Sequence, residues 1–170
     1  MLDEKIPQWV AVKTMSRHEK VVHDALKAKE YEVYLPLKRE LRKRSDRKTW
    51  VQVPLISTYV FCKIIKKDLF WVNNEKSVSK VVEFGGSVAI VSEEEIEAMK
   101  LLVNSATELY VKNILDLRKG KKVRILSGRC EGLEGYITND CKDGNFAVKI
   151  ESLSIMIQTT IEKEYLQIIE

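Results

Sequence analysis

The chain has 170 residues, 45% hydrophobic and 32% charged, with a formal net charge of +4, which suits a globular protein able to bury one good core or two small ones. No apolar run approaches the roughly eighteen residues that span a bilayer, and Met1-Leu2-Asp3-Glu4-Lys5 lacks the charged-then-apolar order of a secretion signal. A cytoplasmic protein with no membrane partner is expected, and Cys62, Cys130 and Cys141, odd in number and without a Cys-x-x-Cys pair, argue against a disulfide framework or a zinc site.

In chain order, Gln8 to Lys13 alternates as a strand does. Ser16 and Glu19 stand at the spacing of a capping box, so a helix to about Lys29 is expected, with Val22, Ala25, Leu26 and Lys29 on one stripe. Tyr31 to Leu37 is extended around the Leu35-Pro36 step. Strand, helix and strand within thirty residues suggest a sheet covered by helices.

From Lys38 to Val53 the pattern turns polar, and a hairpin or long ordered loop turning at Ser45-Asp46 is predicted, because Thr49, Trp50, Val51 and Val53 favour strand on the return limb. This is the most basic stretch of the chain. Lys38, Arg39, Arg42, Lys43, Arg44, Arg47 and Lys48 stand against Glu40 and Asp46, a local +5 that leaves the remainder at −1. A charge run is usually a solvated face; here a phosphate-tracking surface is the competing reading. Trp50 is expected to pack beneath the hairpin, in preference to stacking on an unpaired base.

Pro54 to Ile64 is apolar, β-branched and aromatic, and is predicted as a strand with Tyr59 and Phe61 on one face, Val60 and Cys62 on the other. Asp68 to Asn74 offers one or two helical turns with Leu69 and Val72 inward. Ser79 to Phe84 reads as a strand stopped by Gly85-Gly86. Ser92 and Glu95 form a second capping box, followed by Ile96, Met99, Leu102 and Val103 at helical spacing to about Asn104. Ser105 to Arg118 has no regular period but is too apolar for a free tether, and is expected to lie against one of the domains.

The last part changes character: short alternating runs from Lys122 to Ile169, punctuated by Gly, Asn and Asp, imply a small closed or nearly closed barrel. From Lys119 to Glu170, eight Lys or Arg balance eight Asp or Glu, which favours a protein partner over nucleic acid. Gly128 to Gly135 is no phosphate loop, since neither Lys-Ser nor Lys-Thr follows. His18 and His23 are five residues apart and do not share a helix face as a metal pair would. No catalytic constellation stands out, so neither an enzyme nor a cofactor is expected.

The order of parts resembles the NusG family of transcription elongation factors, an N-terminal (NGN) domain followed by a KOW domain. Pro54-Leu55-Ile56-Ser57-Thr58-Tyr59-Val60-Phe61 is similar to the family's Pro-Leu-Phe-Pro-x-Tyr-Val-Phe, and Trp9 with Glu19 to its opening Trp and Glu. Gly120, Val123-Arg124-Ile125, Gly128 and Gly132-Leu133-Glu134-Gly135 resemble the KOW signature. Ser45-Asp46-Arg47-Lys48 with Trp50-Val51 and Val53-Pro54-Leu55 looks most like the UpxY subgroup, antiterminators of capsular-polysaccharide operons related to RfaH. Two departures stand out: Ile56-Ser57-Thr58 replaces the commoner Phe-Pro-Gly, and Phe70-Trp71-Val72-Asn73 stands where some specialists carry a His-Thr-Thr gate-loop motif.

The resemblance implies an α+β protein: a ferredoxin-like sandwich over residues 1–107, a partly apolar linker over 108–118, and an SH3-like KOW barrel over 119–170. It implies docking on the clamp helices of RNA polymerase through Tyr59, Phe61, Phe84 and Ile96, each buried aromatic contributing about 1.5–3 kcal/mol. Lys38 to Lys48 would lie near upstream or non-template DNA, with nascent RNA a further candidate, and Leu153 would lie near the KOW contact with the ribosomal protein NusE or with Rho. A monomer acting as an operon-specific antiterminator is the leading expectation. A housekeeping NusG-type factor and a KOW-type ribosome- or RNA-binding protein are the alternatives.

Overall fold

The computed structural model describes residues 2–43, 47–106, 108–116, 120–137 and 144–169. Arg44, the predicted turn at Ser45-Asp46 and Cys141 therefore lie outside the described residues. The chain divides into two units, Met1–Ile90 and Val91–Glu170, and the architecture is mixed α/β with strands predominating. No helix among the described residues is long and apolar enough to cross a membrane.

In the first unit, β1 (Gln8–Thr14) leads to α1 (Glu19–Ala28), β2 (Glu32–Tyr34), a hairpin of β3 (Leu37–Lys43) and β4 (Lys48–Pro54), then β5 (Tyr59–Ile64). After a single 3-10 turn come α2 (Leu69–Asn73) and β6 (Val78–Val81), then the short β7 (Glu83–Phe84), β8 (Ser87–Val88) and β9 (Ile90–Val91). The main sheet runs β2-β5-β1-β6, with β9 also on β1; β5 and β6 pair antiparallel with β1, and β2 antiparallel with β5.

Period-two alternation puts Val10 and Val12 of β1, Cys62 and Ile64 of β5 and Val81 of β6 on one face. There they form a core with Val22 and Leu26 of α1, Val72 of α2 and Leu2. The opposite face carries Trp9, Ala11 and Phe61, also buried. The predicted strand from Ser79 to Phe84 is divided at Val82 into β6 and β7, although the Val82 N–H still follows the β1–β6 register by donating to the Ala11 carbonyl at 2.8 Å.

The second unit opens with α3 (Glu93–Ser105). Its capping box forms as predicted: Glu95 N–H donates to Ser92 Oγ at 3.1 Å, and Ser92 N–H to Glu95 Oε2 at 2.9 Å. Ile96, Met99 and Leu102 face inward, joined by Ala98. The strands that follow are β10 (Tyr110–Asn113), β11 (Lys122–Ile125), β12 (Glu134–Ile137), β13 (Asn145–Ile150), β14 (Ile155–Thr160) and β15 (Leu166–Ile168). They form one antiparallel sheet in the order β10-β14-β13-β12-β11-β15.

Two features of this unit have local causes. Tyr110 to Asn113, part of the apolar segment without a helical or strand period, finds its place as an edge strand beside β14. Gly135 sits where a Cβ would come within 2.5 Å of the Phe146 ring and 2.6 Å of the Ala147 carbonyl, so only glycine lets β12 lie this close to β13. Within the unit, helix α3 is tied to the 3-10 turn between β13 and β14 through Glu95, whose second oxygen accepts the Glu151 N–H at 2.8 Å.

Candidate functional site

Strand β5 is held at its start by an interaction that the sequence predicts differently. The Ser16–Glu19 capping box does not form: α1 has no side-chain cap, and Glu19 is instead buried. Its carboxylate accepts the Thr58 N–H at 2.7 Å, while the Thr58 carbonyl accepts the Thr14 N–H at 2.8 Å. Thr58 has φ +66°, the left-handed region, at the position where the family pattern has glycine. The departure at Ile56-Ser57-Thr58 thus has a physical account: Ile56 is buried at 4% exposure, and Glu19 pins the strained residue that aims Tyr59.

The expectation that Tyr59 and Phe61 both look outward needs correction. Their shared face is covered at Phe61, which is fully buried and stacks on Tyr34 with ring centroids 6.4 Å apart. Tyr59, opposite Lys13 at the end of the strand, is half-buried. On the other face, burial, with a smaller effect from the charge of Asp68, pushes the Cys62 thiol up to about 12, so this cysteine is a packing residue and not a nucleophile.

Phe84 is presented to solvent. It closes the β7–β8 hairpin at Gly85-Gly86, whose φ values of +58° and +80° suit the tight turn that two glycines allow, and its ring is 80% exposed. Ile96 is fully buried. With Phe61 and Ile96 lacking exposed surface, the four predicted docking residues do not form one open apolar patch. Exposed aromatic surface also occurs at Phe70 and Trp71, 65% and 64% exposed and edge-to-face at 5.4 Å. The signal was present in the sequence, because a helix that turns Leu69 and Val72 inward sends the two intervening rings out.

The basic hairpin forms as predicted, with pairs from Leu37↔Pro54 to Lys43↔Lys48. Lys38 is half-buried; Arg39, Arg42, Lys43, Arg47 and Lys48 are exposed. Glu40 and Arg42 pair at 3.4 Å. The expectation that Trp50 packs beneath the hairpin is overturned: it stands 64% exposed, opposite Leu41 at 45%. Its face is turned to solvent because Val51 and Val53, the alternate residues of β4, take the half-buried side.

In the second unit, Leu153 ends a 3-10 turn between β13 and β14 and is half-exposed, just before Ser154 at φ +53°. Glu134 on β12 bonds Arg124 of β11 at 2.5 Å and lies 3.2 Å from Lys122. These cations, Arg124 first, hold its carboxyl below the usual range.

A family model described as transcription termination factor NusG matches residues 7–100. A solved structure concerning domain interaction in Thermotoga maritima NusG is similar in fold, with TM-score 0.52 at 21% identity, covering 96% of this chain and 98% of that one. Two conformations of the MjSpt4:Spt5 complex also align, with TM-scores of 0.31 and 0.32 at 18% and 19% identity and 95% coverage of this chain, 98% and 97% of theirs. No curated protein matches the sequence at a significant level.

Proposed function

The chain belongs to the NusG family of transcription factors, and from that premise we propose that it binds RNA polymerase through its N-terminal part and promotes processive elongation, as an antiterminator of a particular operon. The observation that carries this reading is the family match over 7–100, which spans β1 to α3 and includes the basic hairpin and the exposed Phe84 tip. The proposed domain limits, 1–107, a linker over 108–118 and 119–170, follow the family pattern, with α3 assigned to the first domain. The operon-specific part rests on the hairpin sequence from Ser45 to Leu55 and its likeness to the capsular-polysaccharide antiterminators.

Tyr59 and Phe84 are the proposed contacts with the clamp helices, since both offer ring surface; Phe61 and Ile96, which the resemblance also implies, are buried and offer none. The positive hairpin faces DNA, where cations attract phosphates without reading sequence. Leu153 is proposed for a contact of the KOW part with NusE or Rho. The protein acts without catalysis or cofactor, as a cytoplasmic monomer. Core RNA polymerase pull-down tests the docking assignment: Tyr59→Ala and Phe84→Ala together should reduce capture about tenfold or more, as loss of interface hot spots does, with the circular dichroism spectrum unchanged. Undiminished capture by a folded variant would remove these residues from the interface.

A further inference from the structure

Strand β14 is buried at Met156, Ile157, Gln158 and Thr159 and is paired on both sides, with β13 from Asn145↔Thr160 to Ile150↔Ile155 and with β10 from Tyr110↔Gln158 to Asn113↔Ile155. The two neighbours are held differently. Phe146, Ala147, Val148 and Ile150 of β13 are buried, whereas Tyr110, Lys112 and Asn113 of β10 are exposed and Val111 is half-buried. Polar side chains of the β10 segment bond within it: the Tyr110 hydroxyl donates to Glu108 Oε2 at 2.9 Å, and Asn113 Oδ1 accepts the Leu115 N–H at 2.9 Å. The barrel adds Thr159 Oγ1, donating to the Glu108 carbonyl at 2.8 Å, and Leu109 is buried. The Ile114 N–H donates to the Ser154 carbonyl at 3.0 Å, in register with Asn113↔Ile155. Antiparallel ladders alternate, so Tyr110 and Lys112 also turn their N–H groups to β14, and Met156 and Gln158 turn theirs to β10. The Ile161 N–H, donating to the Gly144 carbonyl at 3.1 Å, sets the N–H groups of Ile157 and Thr159 toward β13.

From this arrangement we infer that β10 is an exchangeable strap, and that the β14 edge beneath it is a binding site for an extended segment of a partner protein. The segment carries apolar side chains at alternate positions, which take the places of Leu109 and Val111. Strand addition of this kind draws affinity from the backbone ladder and specificity from alternate side chains. A strap held mainly by its ladder is replaceable, because each hydrogen bond is a modest net gain and fixing the segment costs conformational entropy. The balanced charge from Lys119 to Glu170 suits a protein segment, not nucleic acid. The inference goes beyond the contacts proposed at Tyr59, Phe84 and Leu153 and rests on none of them.

Amide hydrogen exchange of the full chain, read by NMR, tests the strap. The N–H groups of Met156 and Gln158 should exchange about tenfold or more faster than those of Ile157 and Thr159, since departure of β10 alone opens the first pair and leaves the second bonded to β13. Equal rates would mean that β10 leaves only with the whole barrel, and would overturn the inference. Fluorescence anisotropy with a labelled peptide of residues 108–116 tests the site. Lys112→Pro in the full chain removes a ladder donor at an exposed position. It should raise affinity for the peptide about tenfold or more over the unaltered chain, whose own strap occupies the edge, with the circular dichroism spectrum unchanged. The same peptide carrying Leu109→Asn and Val111→Asn should not bind. Peptide affinity unmoved by Lys112→Pro, equal binding of the Asn-substituted peptide, or unfolding of the Lys112→Pro chain would each overturn the inference. Polymerase pull-down by Lys112→Pro, expected to be normal, keeps its failure distinct from failure of the docking assignment.

Discussion

Glu19 shows how much one side chain can be misjudged from its neighbours alone. Its spacing from Ser16 fits a cap, but the fold offers it the Thr58 N–H across 39 residues of chain, and the buried position wins. Removing it would leave a part-buried N–H without its acceptor at a residue already in the left-handed region. Glu19→Ala is expected to cost about 1–3 kcal/mol in urea denaturation, and Glu19→Gln, which keeps an acceptor, much less. Equal losses for the two would mean that the acceptor is not what matters. Trp50 was misjudged for a related reason: alternation reveals that two faces exist, but only burial of Val51 and Val53 reveals which one is inside. Phe61 illustrates the converse, a ring whose strand position was legible and whose covering was not.

At the scale of elements, alternation and capping carried most of the information. The β3–β4 hairpin and the start of α3 were legible because turn residues, β-branched limbs and a Ser-x-x-Glu box act locally. Strand β10 was not, because its four residues are strand only by virtue of the edge that β14 provides. Contacts between elements distant in sequence are also where a pH dependence is expected. Lys29, just past α1, pairs with Glu75, just past α2. That bond, followed by the Lys76 N–H, holds the Glu75 carboxyl below its ordinary 4.5. A lowered folded value means that the ionised form is favoured by folding. The contribution is therefore complete above about pH 4.5 and lost as the pH falls through the folded value. Lys29 is half-exposed, so the effect is at most about 1 kcal/mol. Glu75→Gln should lower stability at pH 7 while flattening the loss as the pH falls below about 4.5, read by thermal melts; an unchanged acid limb would contradict it.

For the molecule as a whole, a β-rich C-terminal part after an α/β N-terminal part was legible from the change in pattern near residue 118. The structure counts two units but divides them at Ile90, with α3 in the second, whereas the family match runs on to residue 100 and so takes in the first turns of that helix. Sequence periodicity cannot allot a helix to one body or another, since a buried stripe is the same whichever surface covers it. The functional claim belongs to this scale, because it joins the proposed docking residues, the basic hairpin and the strand-rich second unit in one chain. The most direct measurement is transcription through the leader of the operon beside the gene, with purified RNA polymerase, with and without the protein. A rise in full-length transcript on that leader, abolished by Tyr59→Ala with Phe84→Ala and absent on an unrelated template, is expected. Equal readthrough with and without the protein would contradict the proposed function.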